Sequence, residues 1–121
     1  MPVRVLIVDD QPAFRDLARQ VLHRRGYTVV GEAGCGDSAL EAAHRLQPDA
    51  VLLDMRLGCE SGFEVARELG RTCPHTAILL VSSEDYGHCR ERLSVSGARG
   101  FLLKSRLLSA ELADFWPVPD A

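Results

Sequence analysis

Four short apolar runs in this chain stop abruptly on polar groups. Val5-Leu6-Ile7-Val8 ends on Asp9-Asp10, and Val51-Leu52-Leu53 ends on Asp54. Ile78-Leu79-Leu80-Val81 ends on Ser82-Ser83, and Phe101-Leu102-Leu103 ends on Lys104. Residues that stay apolar through consecutive positions predict strands covered on both faces, the habit of parallel sheets. Polar groups at the carboxyl ends of such strands lie where open α/β sheets place their chemistry. One strand-end carboxylate alone would read as a cap or a turn residue. Several strand ends of this kind in one chain read as a site.

The segments between the runs read as helices. Pro12 suits a first helical turn, where its missing N–H costs nothing. Phe14, Leu17, Ala18, Val21 and Leu22 then follow at helical spacing, with Arg24, Arg25 and Gly26 at the stop. Tyr27 to Ala33 predicts a second strand. Ser38 with Glu41, and Ser61 with Glu64, have capping-box spacing for the second and third helices. A fourth helix over Asp85 to Val95 has the weakest pattern, because Gly87 and Ser94 lower its propensity. A last helix carrying Leu108, Leu112 and Phe115 on one face is expected before Pro117 and Pro119, with Trp116 closing the hydrophobic edge beneath it.

Five β–α units with short connections imply right-handed crossovers and helices on both faces of one sheet. The simplest such arrangement is an α/β, flavodoxin-like (βα)5 doubly wound five-stranded parallel sheet with strand order 2-1-3-4-5. A single domain over residues 1–121, with its core at 3–116, is expected for a chain of 121 residues. A formal net charge of −3, with scattered Lys and Arg, argues against direct binding of nucleic acid. No apolar run approaches the length of a membrane span. The four cysteines form no C-x-x-C pair, and the first strand begins almost at Met1 with no secretory segment ahead of it. Reduced thiols in a cytoplasm are therefore expected. His23, His44, His75 and His88 fall away from the strand ends and read as surface residues.

The predicted topology gathers Asp9, Asp10, Asp54, Ser82 and Lys104 into one pocket. Carboxylates that converge repel one another, and a hard divalent cation with oxygen ligands relieves them. Mg²⁺, an ammonium and a hydroxyl together suit the oxygens of a phosphoryl group, whose transfer needs mostly positioning and charge neutralisation. Asp54 stands alone at the central strand's end and is the candidate nucleophile. Asp9 and Asp10 are placed to hold the metal.

On these residues, with Gly62, the chain resembles the receiver domain of two-component response regulators over roughly Val3 to Trp116. The resemblance implies that Asp54 accepts a phosphoryl group from a sensor histidine kinase. It implies direct Mg²⁺ ligation by Asp10, Asp54 and the backbone carbonyl of Arg56, with Asp9 acting through water. Lys104 would pair with the phosphoryl oxygens. Ser82 would swing in to hydrogen-bond them, and Phe101 would change rotamer in step. The fourth helix, fifth strand and fifth helix would then present an altered face to a downstream output protein or output domain.

Three positions depart from the family's habit. Ser105 follows Lys104 where proline is common, Gly58 stands where a proline is frequent, and Phe101 replaces the usual tyrosine. Arg56 and Glu84 are expected to pair across the pocket mouth and slow the water that hydrolyses the acyl phosphate. The competing readings are a Mg²⁺-dependent phosphatase with an aspartyl intermediate, and a degenerate receiver that acts as an interaction module without phosphate. Arg56 stands where such a phosphatase needs a second aspartate. The chain is thus expected to be no enzyme beyond self-phosphotransfer and autodephosphorylation. A homodimer through the fourth and fifth helices has no distinct signature here, and whether the chain stands alone or is a receiver from a longer regulator stays open.

Overall fold

A computed structural model describes residues 2–58, 60–85 and 90–119. The apolar runs form the strands β1 (Arg4–Val8), β2 (Thr28–Ala33), β3 (Ala50–Asp54), β4 (Ala77–Ser82) and β5 (Gly100–Leu103). All pairings between them are parallel, in the order β2-β1-β3-β4-β5. This is the expected flavodoxin-like order. β3 and β4 are buried at every position because helices cover both faces, which is why their sequences do not alternate.

The helices are α1 (Pro12–Arg24), α2 (Gly36–Leu46), α3 (Gly62–Thr72) and α4 (Arg90–Val95). Two apolar clusters occupy the two faces of the sheet. On one, Val5, Ile7, Leu52 and Leu79 meet Phe14, Ala18, Val21 and Leu22 of α1. On the other, Leu6, Val51, Leu53 and Ile78 meet Ala39, Ala43, Phe63, Ala66 and Leu69 of α2 and α3.

The helix ends follow the local chemistry in part. Pro12 opens α1, and Gly26 follows its end at φ +89°. The Ser61 hydroxyl caps α3 by accepting the N–H of Phe63 at 3.2 Å. Ser38 does not cap α2, which begins at Gly36 with Cys35 as its cap residue. The Ser38 hydroxyl donates back to the Cys35 carbonyl at 3.2 Å. The carboxylate of Glu60, from the loop before α3, accepts the Gly36 N–H at 2.9 Å instead. A charged acceptor at the positive end of a helix satisfies what the serine does not.

The expected last helix is absent. Lys104–Arg106 and Leu112–Asp114 are single 3₁₀ turns, and the rest of 104–119 is irregular. Leu107, Leu112 and Trp116 are buried on the α1 face of the sheet, whereas Leu108 points out at 64% exposure. The three residues expected on one face therefore do not share one. Pro117 and Pro119 stop any helix at the carboxyl end of the segment. Packing of individual side chains takes over. The Phe115 ring lies against Gly100, where any side-chain carbon would clash with it. Trp116 meets Tyr27 edge-on at 5.5 Å, and the Arg25 guanidinium donates to the carbonyls of Leu108 and Ala110.

Of the expected fourth helix, Arg90–Val95 is helical, and Tyr86 to Cys89 lie outside the described residues. His23, His44 and His75 are exposed as expected, and His88 lies outside the described residues. Cys35 and Cys73 are free thiols. No described helix is long and apolar enough to cross a membrane.

Candidate functional site

The carboxyl ends of β1, β3, β4 and β5 open on one side of the sheet, because parallel strands in register finish together. Asp54 pairs in register with Val81, and Ser82 with Leu103, so the polar residues that end each run meet there. Asp9 and Asp54 are buried at 0% and 5% exposure, while Asp10 is exposed. One carboxylate oxygen from each of the three lies within 4.8 Å of the others.

Lys104 follows directly on β5. Its Nζ lies 2.7 Å from Asp9 Oδ2 and 3.4 Å from Asp54 Oδ2, and sits 4.3 Å above the centre of the Phe14 ring. Phe14 thus serves the core of α1 and also faces the cation, a pairing that helical periodicity alone does not disclose. The Asp9 contact is charge against charge. Asp9 Oδ2 is buried beside that ammonium and makes no hydrogen bond among the described residues. The other Asp9 oxygen accepts the Gln11 N–H at 2.8 Å. Burial, with the Asp9 charge beside it, raises the Asp54 carboxyl to about 6, although Lys104 and the Arg56 N–H pull the other way.

Such a site suits a cation. Three clustered carboxylates exceed what one ammonium neutralises, and one of them keeps a buried oxygen without a donor. The donor set is all oxygen, as hard divalent ions prefer.

The loop after Asp54 is built for this geometry. Arg56–Leu57 pairs antiparallel with Glu60–Ser61, and the turn between them takes Gly58 at φ +64°. The Gly58 N–H donates to Asp10 Oδ2 at 3.1 Å. A proline here would have neither that φ nor that N–H. The turn is therefore pinned to the acidic pair. Gly62 closes the turn, its N–H donating to the Met55 carbonyl at 2.7 Å. A side-chain carbon on Gly62 would fall 2.5 Å from the Asp54 carbonyl oxygen.

Ser82 is buried, and its hydroxyl accepts the Glu84 N–H at 3.0 Å. The bond leaves the hydroxyl proton available to donate, since one hydroxyl can accept and donate at once. Arg56 Nη1 meets Glu84 Oε1 across the mouth at 3.4 Å, with both side chains more than 60% exposed. Phe101 is half-buried against the α2–α3 cluster. The structure thus brings together Asp9, Asp10, Asp54 and Lys104, with Ser82 and Arg56 beside them and Phe101 in the packing behind. Sequence reasoning named Phe14 and Gly58 without the contacts they make at the site, and missed Glu60 altogether. Glu60 left no local signal, because its partner Gly36 lies 24 residues away.

Comparison with known proteins places these features in company. The family model for the response regulator receiver domain matches residues 5–112. Response regulator GacA of Pseudomonas aeruginosa is 34% identical over 103 residues, covering 84% of this chain and 48% of its own length. The nitrate/nitrite response regulator protein NarP of Escherichia coli is 38% identical over 104 residues, covering 85% of this chain and 48% of its own. The signal receiver domain of NarL from Mycobacterium tuberculosis superposes with a TM-score of 0.82 at 35% identity, over 93% of this chain and 94% of that one. A response regulator protein from Burkholderia pseudomallei, solved with a phosphorylated aspartic acid, calcium ion and citrate, gives 0.84 at 26% identity, over 94% of this chain and 66% of that one. The chain spans about half the length of the curated relatives GacA and NarP.

Proposed function

This chain belongs to the response regulator receiver domain family, and from that membership we propose that it is the phosphoacceptor switch of a two-component phosphorelay. Asp54 takes the phosphoryl group from a sensor histidine kinase, and the change passes to a downstream output protein or output domain. The observation that carries this reading is the Lys104 ammonium set between Asp9 and Asp54, within an all-oxygen cluster.

Asp10, Asp54 and the Arg56 carbonyl would hold Mg²⁺ directly, with Asp9 acting through water. When bound, the cation neutralises the carboxylates and the incoming phosphoryl oxygens. In the transfer, an Asp54 carboxylate oxygen forms the new P–O bond as the P–N bond to the donor imidazole breaks. The imidazole nitrogen leaves with the bonding electron pair. Lys104 turns from Asp9 toward the phosphoryl oxygens, and Ser82 donates its hydroxyl proton to one of them. Phe101 repacks in step.

The route to a partner differs from the expected one. Among the described residues the face beside α4 and β5 holds no fifth helix, so the output surface is α4, β5 and the irregular segment 104–119. That segment starts at Lys104 itself, which ties its position to the charge at Asp54. The net charge of −3 favours a protein over nucleic acid as the direct partner, and the reading assumes the cytoplasm, where histidine kinases phosphorylate their regulators.

Incubation with acetyl phosphate and Mg²⁺, read by intact mass beside an Asp54→Ala control, tests the reading. One phosphoryl group should be added, and lost both in the control and without Mg²⁺. A folded protein that binds Mg²⁺ and gains no phosphoryl group would move the assignment to a phosphate-independent interaction module.

A further inference from the structure

Arg15 lies on α1, and its guanidinium turns back toward the end of β1. Nη1–H donates to the main-chain carbonyl of Asp9 at 2.5 Å, and Nε–H donates to Glu32 Oε1 at 3.1 Å. Glu32 sits on β2 beside Ile7, and its other oxygen accepts from Arg19 Nη1 at 2.6 Å. The side chains of Arg15 and Glu32 are 22% and 27% exposed, less open to screening than the Arg56–Glu84 pair. The Asp9 N–H, for its part, donates to the Ala33 carbonyl of β2 at 3.0 Å. The main chain of Asp9 is therefore held on both sides, by β2 through its N–H and by α1 through its carbonyl.

That carbonyl shares one rigid plane with the N–H of Asp10. Fixing its direction fixes where the Asp10 chain leaves β1. Asp10 is the exposed member of the acidic cluster, so less packing holds it than holds Asp9 or Asp54. We infer that Arg15 is a positioning residue for the cation site, acting through the Asp9–Asp10 peptide without touching the cation. The inference rests on the Mg²⁺ reading above. Removing Arg15 has two opposed effects. The lost orientation weakens cation binding, and the lost positive charge strengthens it. Orientation dominates, because groups that orient ligands typically contribute 10–100-fold to metal affinity.

Calorimetric Mg²⁺ titration of the metal-free chain separates the cases. Arg15→Ala should bind roughly tenfold more weakly than the unmodified protein, while Arg19→Ala, which loosens the same Glu32 without reaching Asp9, should stay within about twofold. Unfolding midpoints of the metal-free variants should show both folded. Should Arg15→Ala not fold, Arg15→Lys takes its place, since one ammonium cannot hold the Asp9 carbonyl and Glu32 together. Unchanged or tighter binding without Arg15 overturns the inference. So does an equal loss in both variants, which would mean that α1 has merely loosened against β2. Asp10→Ala reports on the parent reading. Binding in the unmodified protein that is lost in Asp10→Ala upholds the cation site whatever Arg15 does, and absent binding in the unmodified protein overturns both.

Discussion

Lys104 Nζ lies nearer to Asp9 Oδ2, at 2.7 Å, than to Asp54 Oδ2, at 3.4 Å. On the function proposed above, the ammonium that would meet the phosphoryl group is held mainly by a carboxylate that would also serve the metal. Lys104 and a bound Mg²⁺ would then be partial substitutes in the resting site, and the cost of losing one would depend on the presence of the other.

Lys104→Met should destabilise the metal-free protein by about 3 kcal/mol, as expected when one partner of a buried ion pair is removed. Urea unfolding with and without Mg²⁺ checks this. Saturating Mg²⁺ should restore much of the loss in stability, while phosphorylation by acetyl phosphate stays slow.

The raised carboxyl of Asp54 makes stability fall with rising pH. Its ordinary value is 3.8 and its folded value about 6, so between these the folded state keeps a proton that the unfolded state has lost. Its contribution is whole below the lower value and gone above the upper one. Asp54→Asn should then stabilise the metal-free protein at neutral pH by about 1–3 kcal/mol, a gain that shrinks as pH falls below about 6. Thermal melts across that range test it, and added Mg²⁺ should erase most of the difference.

Gly62→Ala and Gly58→Ala should differ in kind. The first drives a carbon to 2.5 Å from the Asp54 carbonyl oxygen, so it should cost about 1–3 kcal/mol and slow phosphorylation by shifting the loop. The second meets no neighbour within 4 Å and strains only its φ of +64°, for about 1 kcal/mol. Paired unfolding and phosphorylation rates distinguish them.

Trp116 is buried, and its Nε1–H has no acceptor among the described residues. Trp116→Phe removes that donor and keeps an aromatic ring against Tyr27, so it should change stability by no more than about 1 kcal/mol. Trp116→Ala should cost about 3–5 kcal/mol. Denaturant unfolding by circular dichroism compares them.

Arg56→Ala opens the Arg56–Glu84 pair at the mouth and should shorten the lifetime of the phosphorylated protein. A markedly longer lifetime, followed by intact mass after the phosphodonor is removed, would refute the shielding role. Stability should hardly move, since pairs this exposed contribute little.

Much of the site is legible in the sequence. Asp9, Asp10, Asp54, Ser82 and Lys104 each end an apolar run, and the parallel topology that follows from those runs brings them together. The Arg56–Glu84 pair is legible too, from equal offsets along adjacent strands. Ser38 misleads because its capping-box spacing competes with Glu60, a better acceptor delivered from another loop. The last helix misleads because Leu108, Leu112 and Phe115 have helical spacing, yet the packed fold buries Leu112 and turns Leu108 out to solvent.

Local chemistry alone determined the strands, the first three helices and the polar group that ends each run. These follow from apolar continuity, amphipathic period and chain punctuation, which act between near neighbours. The tertiary structure decided how the backbone at the site is held. Gly58 reaches Asp10, Arg15 grips the Asp9 carbonyl, Glu60 caps α2, and Gly100 admits the Phe115 ring in place of a fifth helix. Each of these contacts is a polar atom or a ring filling whatever direction the packed sheet leaves open. Such directions exist only once the strands lie side by side.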